Sequence, residues 1–145
     1  MRQVLQSFRD GSVTATEVPC PAASGGYVLV RSRTSLISAG PERMLLQFGK
    51  ANWIDKARQQ PDKVRMVLAK ARTDGVAATL EAVQAKLDVP LAMGYSNAGV
   101  VLEVGTGAPE FRTGDRVVSN GGHAEVVHVA KNLCAKVPDS VADDA

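Results

Sequence analysis

The sequence predicts a mainly β fold with helices, a partly open β-barrel of short strands broken by a helical insertion. Short apolar runs alternating with glycine turns over 97–137, and an apolar/polar alternation from Tyr27 to Ser35, give the barrel. The insertion follows from a switch to helical periodicity between Pro41 and Leu91.

Taken in order, Met1 to Leu5 and Ser12 to Val18 are strand-like and flank Asp10-Gly11, a hairpin signal. Pro19 to Gly26 reads as a loop, and Tyr27 to Ser35 as a half-buried strand. Pro41 to Gly49 can open a helix with proline in its first turn and Met44, Leu45 and Phe48 on one face. A second helix starts at Pro61, carries Val64, Val67, Leu68 and Ala71 at i, i+3, i+4 and i+7, and stops at Asp74-Gly75. A third places Val76, Leu80, Val83 and Leu87 on one stripe and ends at Asp88 and Pro90. The strands resume at Asn97, with Ala98 to Val104 apolar on both faces, then Arg116 to Ser119, His123 to Val129 and Leu133 to Val137. Asp115 is placed to accept backbone N–H bonds in its turn, with Arg116 as counter-charge, an architectural role.

The 145 residues suffice for one domain, and 45% hydrophobic content suits a globular protein. Seventeen Lys and Arg against 15 Asp and Glu leave +2, too little to argue for nucleic acid or a membrane surface. No apolar run nears the ~20 residues of a membrane span, and Met1-Arg-Gln-Val lacks a secretory signal's apolar region, so the cytoplasm is the expected location. Cys20 and Cys134 are far apart and read as reduced, packed or loop thiols.

The insertion, residues 48–91, holds eight basic residues against five acids from Lys50 to Asp88. A cap over a cleft, a subunit contact, a cationic landing surface and a merely solvated charged face all stay open, with Trp53 as a possible anchor.

Three motifs in fixed order carry a family resemblance: Val104-Gly105-Thr106-Gly107, Gly114-Asp115-Arg116-Val117 and Gly121-Gly122-His123-Ala124-Glu125. Together they resemble the N-terminal, GroES-like catalytic domain of the medium-chain dehydrogenase/reductase superfamily, the zinc-type alcohol dehydrogenase-like proteins. The resemblance covers nearly the whole chain and implies a GroES-like barrel over 1–145, with an insertion longer than the relatives' link. In the zinc-dependent members a cysteine binds the catalytic metal where Ser38 stands here, and a Gly-His-Glu motif corresponds to Gly94-Tyr95-Ser96. Hydroxyl and phenol are poor zinc ligands. The lobe that holds a structural zinc has no room between Val117 and Gly121. No zinc is therefore expected, which places the chain with the quinone-oxidoreductase and enoyl-reductase type, in which the nicotinamide and hydrogen-bonding groups do the work.

The residues left to line a cleft are Ser38, Glu42, Arg43, Tyr95, Ser96, Asn97, Asn120 and His123. The resemblance assigns catalysis to Tyr95, Ser38 and His123, and cofactor contact to Ser38, Ala39, Gly40 and Arg43. Ser96, Asn97 and Asn120 are the substrate-binding candidates. Tyr95 can donate a proton to a substrate oxygen or be a plain half-buried aromatic, and Arg43 can meet a phosphate or carboxylate or be a solvated helix residue. His123 is the histidine suited to acid–base work, whereas His128 reads as an outward strand residue.

No G-x-G-x-x-G strand-turn-helix is present, since Pro109 and the Gly114-Asp115 turn make 104–115 a loop. NAD or NADP would thus be held mainly by a Rossmann domain outside this chain, which stops at Asp143-Asp144-Ala145, near where relatives enter that domain. The expected function is the substrate-binding half of an NAD(P)-dependent, zinc-independent oxidoreductase, inactive without its Rossmann domain. Ser38-Ala39-Gly40, Glu42-Arg43-Met44 and the Gln59 to Val64 helix start resemble a two-part bacterial subgroup. A polar carbonyl compound, sugar nucleotide or polyol is the expected substrate, with neither nucleic acid nor membrane as partner and homo-oligomerisation left open. The alternative is a non-catalytic GroES-like assembly or interaction module.

Overall fold

The computed structural model describes residues 1–142, and of Trp53 the backbone alone; the anchor role considered for Trp53 and the closing Asp143-Asp144-Ala145 lie outside the described residues. Its strands are β1 (Arg2–Gln6), β2 (Val13–Glu17), β3 (Tyr27–Ser35), β4 (Leu91–Ala92), β5 (Asn97–Val104), β6 (Arg116–Ser119), β7 (Val126–Ala130) and β8 (Cys134–Lys136). Its helices are α1 (Pro41–Lys50), α2 (Trp53–Gln59), α3 (Pro61–Asp74) and α4 (Val76–Asp88). The strands form an open three-stranded sheet, β2-β1-β4, and an open five-stranded sheet, β7-β3-β5-β6-β8. This is the partly open barrel architecture, with helices and strands both prominent.

Contacts divide the chain into two compact units. One comprises Met1–Leu5, Thr14–Glu42 and the chain from Ala92 onward; the other comprises Gln6–Val13 and Arg43–Leu91.

The first unit is built on β3, which pairs antiparallel with β5 on one side and β7 on the other. Val30 stands opposite both Val101 and Val127, so three strands send valines into one core. That core is Val28, Val30, Val101, Ala108, Phe111, Val117, Val127 and Val129, all buried. β-Branched residues pack well on such a pleated surface, and burying each contributes about 1.5–3 kcal/mol. Gly105 ends β5 where a Cβ would sit 1.7 Å from the Ser24 carbonyl oxygen, so no other residue fits that crossing.

The first unit's turns differ in detail from expectation. Asp115 does accept the Arg112 N–H at 2.8 Å, but its counter-charge is Lys136 at 2.7 Å. Arg116 instead donates to the Val141 carbonyl, because β6 points its side chain toward the C-terminal segment. The strand expected from His123 begins only at Val126, since His123 and Ala124 bridge to β1 rather than β3. Cys134 is half-buried against the core and desolvation raises its thiol pKa to about 11, whereas Cys20 is exposed.

In the second unit α2 is an additional short helix, capped by Asn52 Oδ1 accepting the Asp55 N–H at 2.9 Å. The segment 6–13 is tied to the helices by Gln6 Nε2 donating to the Leu45 carbonyl, Lys56 Nζ donating to the Phe8 carbonyl, and an edge-to-face Phe8–Phe48 pair. An Arg9–Asp88 ion pair closes it. The helical stripes are only partly covered: α3 buries no residue, and Met66, Leu68, Val76 and Leu80 are exposed. No described helix is long and apolar enough to cross a membrane.

Candidate functional site

The site in the first unit begins with the end of β3, the loop to α1 and the crossing at Met93 to Ala124. Met93 donates its N–H to the Val4 carbonyl and accepts the His123 N–H at 2.8 Å, and Val4 in turn donates to the His123 carbonyl. These backbone bonds fix where the imidazole starts. Gly94, at φ +86°, leaves room for it, since a Cβ there would lie 2.8 Å from the ring.

The His123 ring is bonded at both nitrogens. Nδ1 lies 2.8 Å from Ser35 Oγ, at the end of β3. Nε2 lies 3.0 Å from Glu42 Oε2, and the other oxygen of Glu42 accepts the Ser38 N–H at 2.9 Å. The pair is enclosed, with side chains 11% and 6% exposed for His123 and Glu42. Burial pushes the Glu42 carboxyl up, but the Ser38 N–H and the His123 ring together outweigh it and hold the group below its ordinary value. Its place in the first turn of α1 also favours an anion. With Glu42 ionised, a neutral His123 carries its proton on Nε2 and leaves Nδ1 to accept from the Ser35 hydroxyl.

Ser35 and His123 border an open cleft of about 350 Å³, whose walls also include Ser32, Arg33, Arg2 and Glu125. Arg2 is held there by Glu125, which accepts its backbone N–H and its Nε, each at 2.8 Å. Behind the cleft, Asn97 is 3% exposed and donates through Nδ2 to Ser32 Oγ at 2.8 Å. Its Oδ1 is buried with no hydrogen-bond partner among the described residues.

Of the sequence candidates, Ser38 and His123 meet through Glu42, by the Ser38 backbone rather than its hydroxyl. Ala39 and Gly40 form an exposed loop beside them, and a Cβ on Gly40 would meet nothing within 4 Å. Tyr95 is 47% exposed and its phenol makes no hydrogen bond among the described residues. Ser96 holds the loops together through its carbonyl, which accepts the Leu36 N–H at 3.0 Å. Asn120 is exposed and donates its backbone N–H to the Leu133 carbonyl, and Arg43 is an exposed α1 residue belonging to the second unit. Ser35 carried no sequence signal: a serine at a strand end is unremarkable until His123, 88 residues away, comes beside it.

Comparison with known proteins follows the same lines. The profile of the alcohol dehydrogenase GroES-like domain matches residues 64–139, just over half of the chain. A search of curated proteins finds no match. Among solved structures, Escherichia coli quinone oxidoreductase complexed with NADPH is similar at a TM-score of 0.64 and 15% identity, over 99% of this chain and 35% of that one. Human synaptic vesicle membrane protein VAT-1 homolog-like protein gives 0.65 and 18%, over 99% and 37%. A probable oxidoreductase from Mycobacterium abscessus gives 0.63 and 22%, over 99% and 37%. The chain thus spans little more than a third of the length of these structures, and at such identities they speak to the fold alone. With the domain profile and the barrel in agreement, the chain belongs to the alcohol dehydrogenase GroES-like domain family.

Proposed function

We propose that the chain is the substrate-binding and catalytic part of an NAD(P)-dependent, zinc-independent oxidoreductase of the two-part bacterial type, inactive without a Rossmann domain. The observation that carries this reading is the enclosed imidazole of His123, held by Glu42 and reaching the cleft through Ser35. Such an arrangement takes up or supplies the proton that must accompany hydride transfer at a carbonyl. The nicotinamide, when bound, supplies or accepts the hydride. Its fit in the first unit rests on the loop Ser38-Ala39-Gly40, where Ala39 and Gly40 are exposed and a Cβ on Gly40 would meet nothing within 4 Å. A Rossmann fold is the partner that would hold the rest of the dinucleotide. It is also what the E. coli relative's bound NADPH suggests by analogy.

Ser96, Asn97, Asn120 and the Tyr95 phenol are assigned to the substrate. A polyol or sugar nucleotide, rich in hydroxyls, suits these polar groups. Zinc does not fit the donor set: Ser38 offers a hydroxyl, and no group of three or more His, Cys, Asp or Glu that could hold a metal occurs among the described residues.

Exposed Ile54, Met66, Leu68 and Leu80 favour a second reading, an assembly module that docks through its helices. Side-by-side assays of the full-length gene product and of these 145 residues separate the two. NAD(P)H oxidation with a panel of polar carbonyl compounds and quinones is expected from the longer protein alone. Absence of turnover in both supports the assembly module.

A further inference from the structure

We propose that Ser35 is a base-activated nucleophile for small carboxylic esters entering the cleft, with His123 as its general base and Glu42 as the residue that positions His123. The chemistry needs no nicotinamide and stands apart from the oxidoreductase reading. Three features of the geometry lead to it. Ser35 Oγ is 2.8 Å from Nδ1, within reach of proton transfer, and Ser35 itself is exposed on the cleft. The far nitrogen is 3.0 Å from Glu42, which stabilises the imidazolium that forms when Ser35 gives up its proton. Glu42 is fixed by its second oxygen on the Ser38 N–H, so the imidazole is held in one orientation and one tautomer.

The chain contains its own comparison. Ser24 Oγ lies 2.8 Å from His128 Nε2, but that ring stacks on Tyr27 at 4.3 Å and has no carboxylate on its other nitrogen among the described residues. Among the described residues a serine–histidine contact alone is therefore present twice, and the carboxylate-backed one occurs only at Ser35.

In the proposed step Ser35 Oγ bonds to the ester carbonyl carbon while its proton passes to Nδ1. The carbon–alkoxide bond then breaks and the alcohol leaves with that proton. Water repeats the sequence: its oxygen bonds to the acyl carbon, His123 takes a proton, and the acyl–Ser35 bond breaks with return of the proton to Oγ. One ester and one water give one acid and one alcohol.

The test treats the intact chain with diisopropyl fluorophosphate, maps adducts by peptide mass spectrometry, and follows nitrophenol release from p-nitrophenyl acetate. The expected result is an adduct on Ser35 that forms well before any on Ser24. H123Q should slow it roughly 100-fold. E42Q should displace the pH profile of labelling, a readout that loosening of the fold would not move. S35A removes an exposed hydroxyl and its one hydrogen bond to His123, so it is the variant that decides should H123Q unfold; it should bring nitrophenol release down to that of S24A/S35A. No adduct on Ser35, equal labelling of Ser24 and Ser35, or release undiminished in S35A overturns the assignment.

Discussion

Replacing Glu42 by glutamine probes the buried pair with little change of shape. The one oxygen of glutamine can still accept the Ser38 N–H, and its amide N–H can donate to His123 Nε2 once the ring proton moves to Nδ1, so two hydrogen bonds survive without their charge. A bond to a charged group is worth about 1 kcal/mol more than a neutral one, which sets the gross loss at about 2 kcal/mol. The amide is cheaper to bury than the carboxylate, so the net loss at neutral pH is about 1–2 kcal/mol. For a chain of this size that lowers the melting temperature by about 3–8 °C. The sign with pH is fixed by the depressed Glu42 pKa. Its stabilisation is fully present above the ordinary value of 4.5 and is lost as pH falls through the folded-state value, when the native carboxyl also becomes neutral. Urea or thermal unfolding of both proteins at neutral pH and in acid gives the comparison. A gap that is absent at neutral pH, or that widens in acid, refutes the account of Glu42 as an ionised partner of His123.

Gly94→Ala should cost about 3 kcal/mol, from the left-handed backbone at φ +86° and a Cβ 2.8 Å from the His123 ring; unchanged urea midpoints would contradict it. Iodoacetamide at pH 8 should modify Cys20 quickly and Cys134 only on unfolding, because a thiol with a pKa of about 11 is roughly 0.1% thiolate there; equal rates under native conditions would show Cys134 to be open. Deleting 52–88 and bridging with a short Gly-Ser linker should leave a cooperative melt, since all eight core residues lie outside it, while removing whatever association the exposed helices support. A melt that loses cooperativity would show that the strands need the helices.

What the sequence made legible was local. The alternation in Tyr27–Ser35 and the apolar run leading to Val104 name β3 and β5, and Pro61, Gly75 and Asp88 mark the bounds of α3 and α4. Helix α2 is not legible in the sequence, because seven residues are too few to show a period, and its cap shows only in the Asn52–Asp55 bond. β4 was illegible because two residues carry no alternation. His123 could be singled out by type within Gly121 to Glu125, but its partners could not. Ser35 and Glu42 are 88 and 81 residues away, joined to it by strand register and a loop rather than by spacing. Separation in sequence also hides the partner of Asp115: Arg116 is its neighbour along the chain, but Lys136, on β8, is the group that reaches it.

The central claim is that hydride chemistry at this site proceeds without a metal, with His123 handling the proton. The most direct measurement is NADPH consumption by the full-length protein with a carbonyl or quinone acceptor, before and after exhaustive treatment with a strong zinc chelator, for the wild type and H123Q. Turnover that is unchanged by the chelator and falls by roughly 100-fold in H123Q is predicted. Turnover abolished by the chelator and restored by zinc, or indifferent to H123Q, would contradict it.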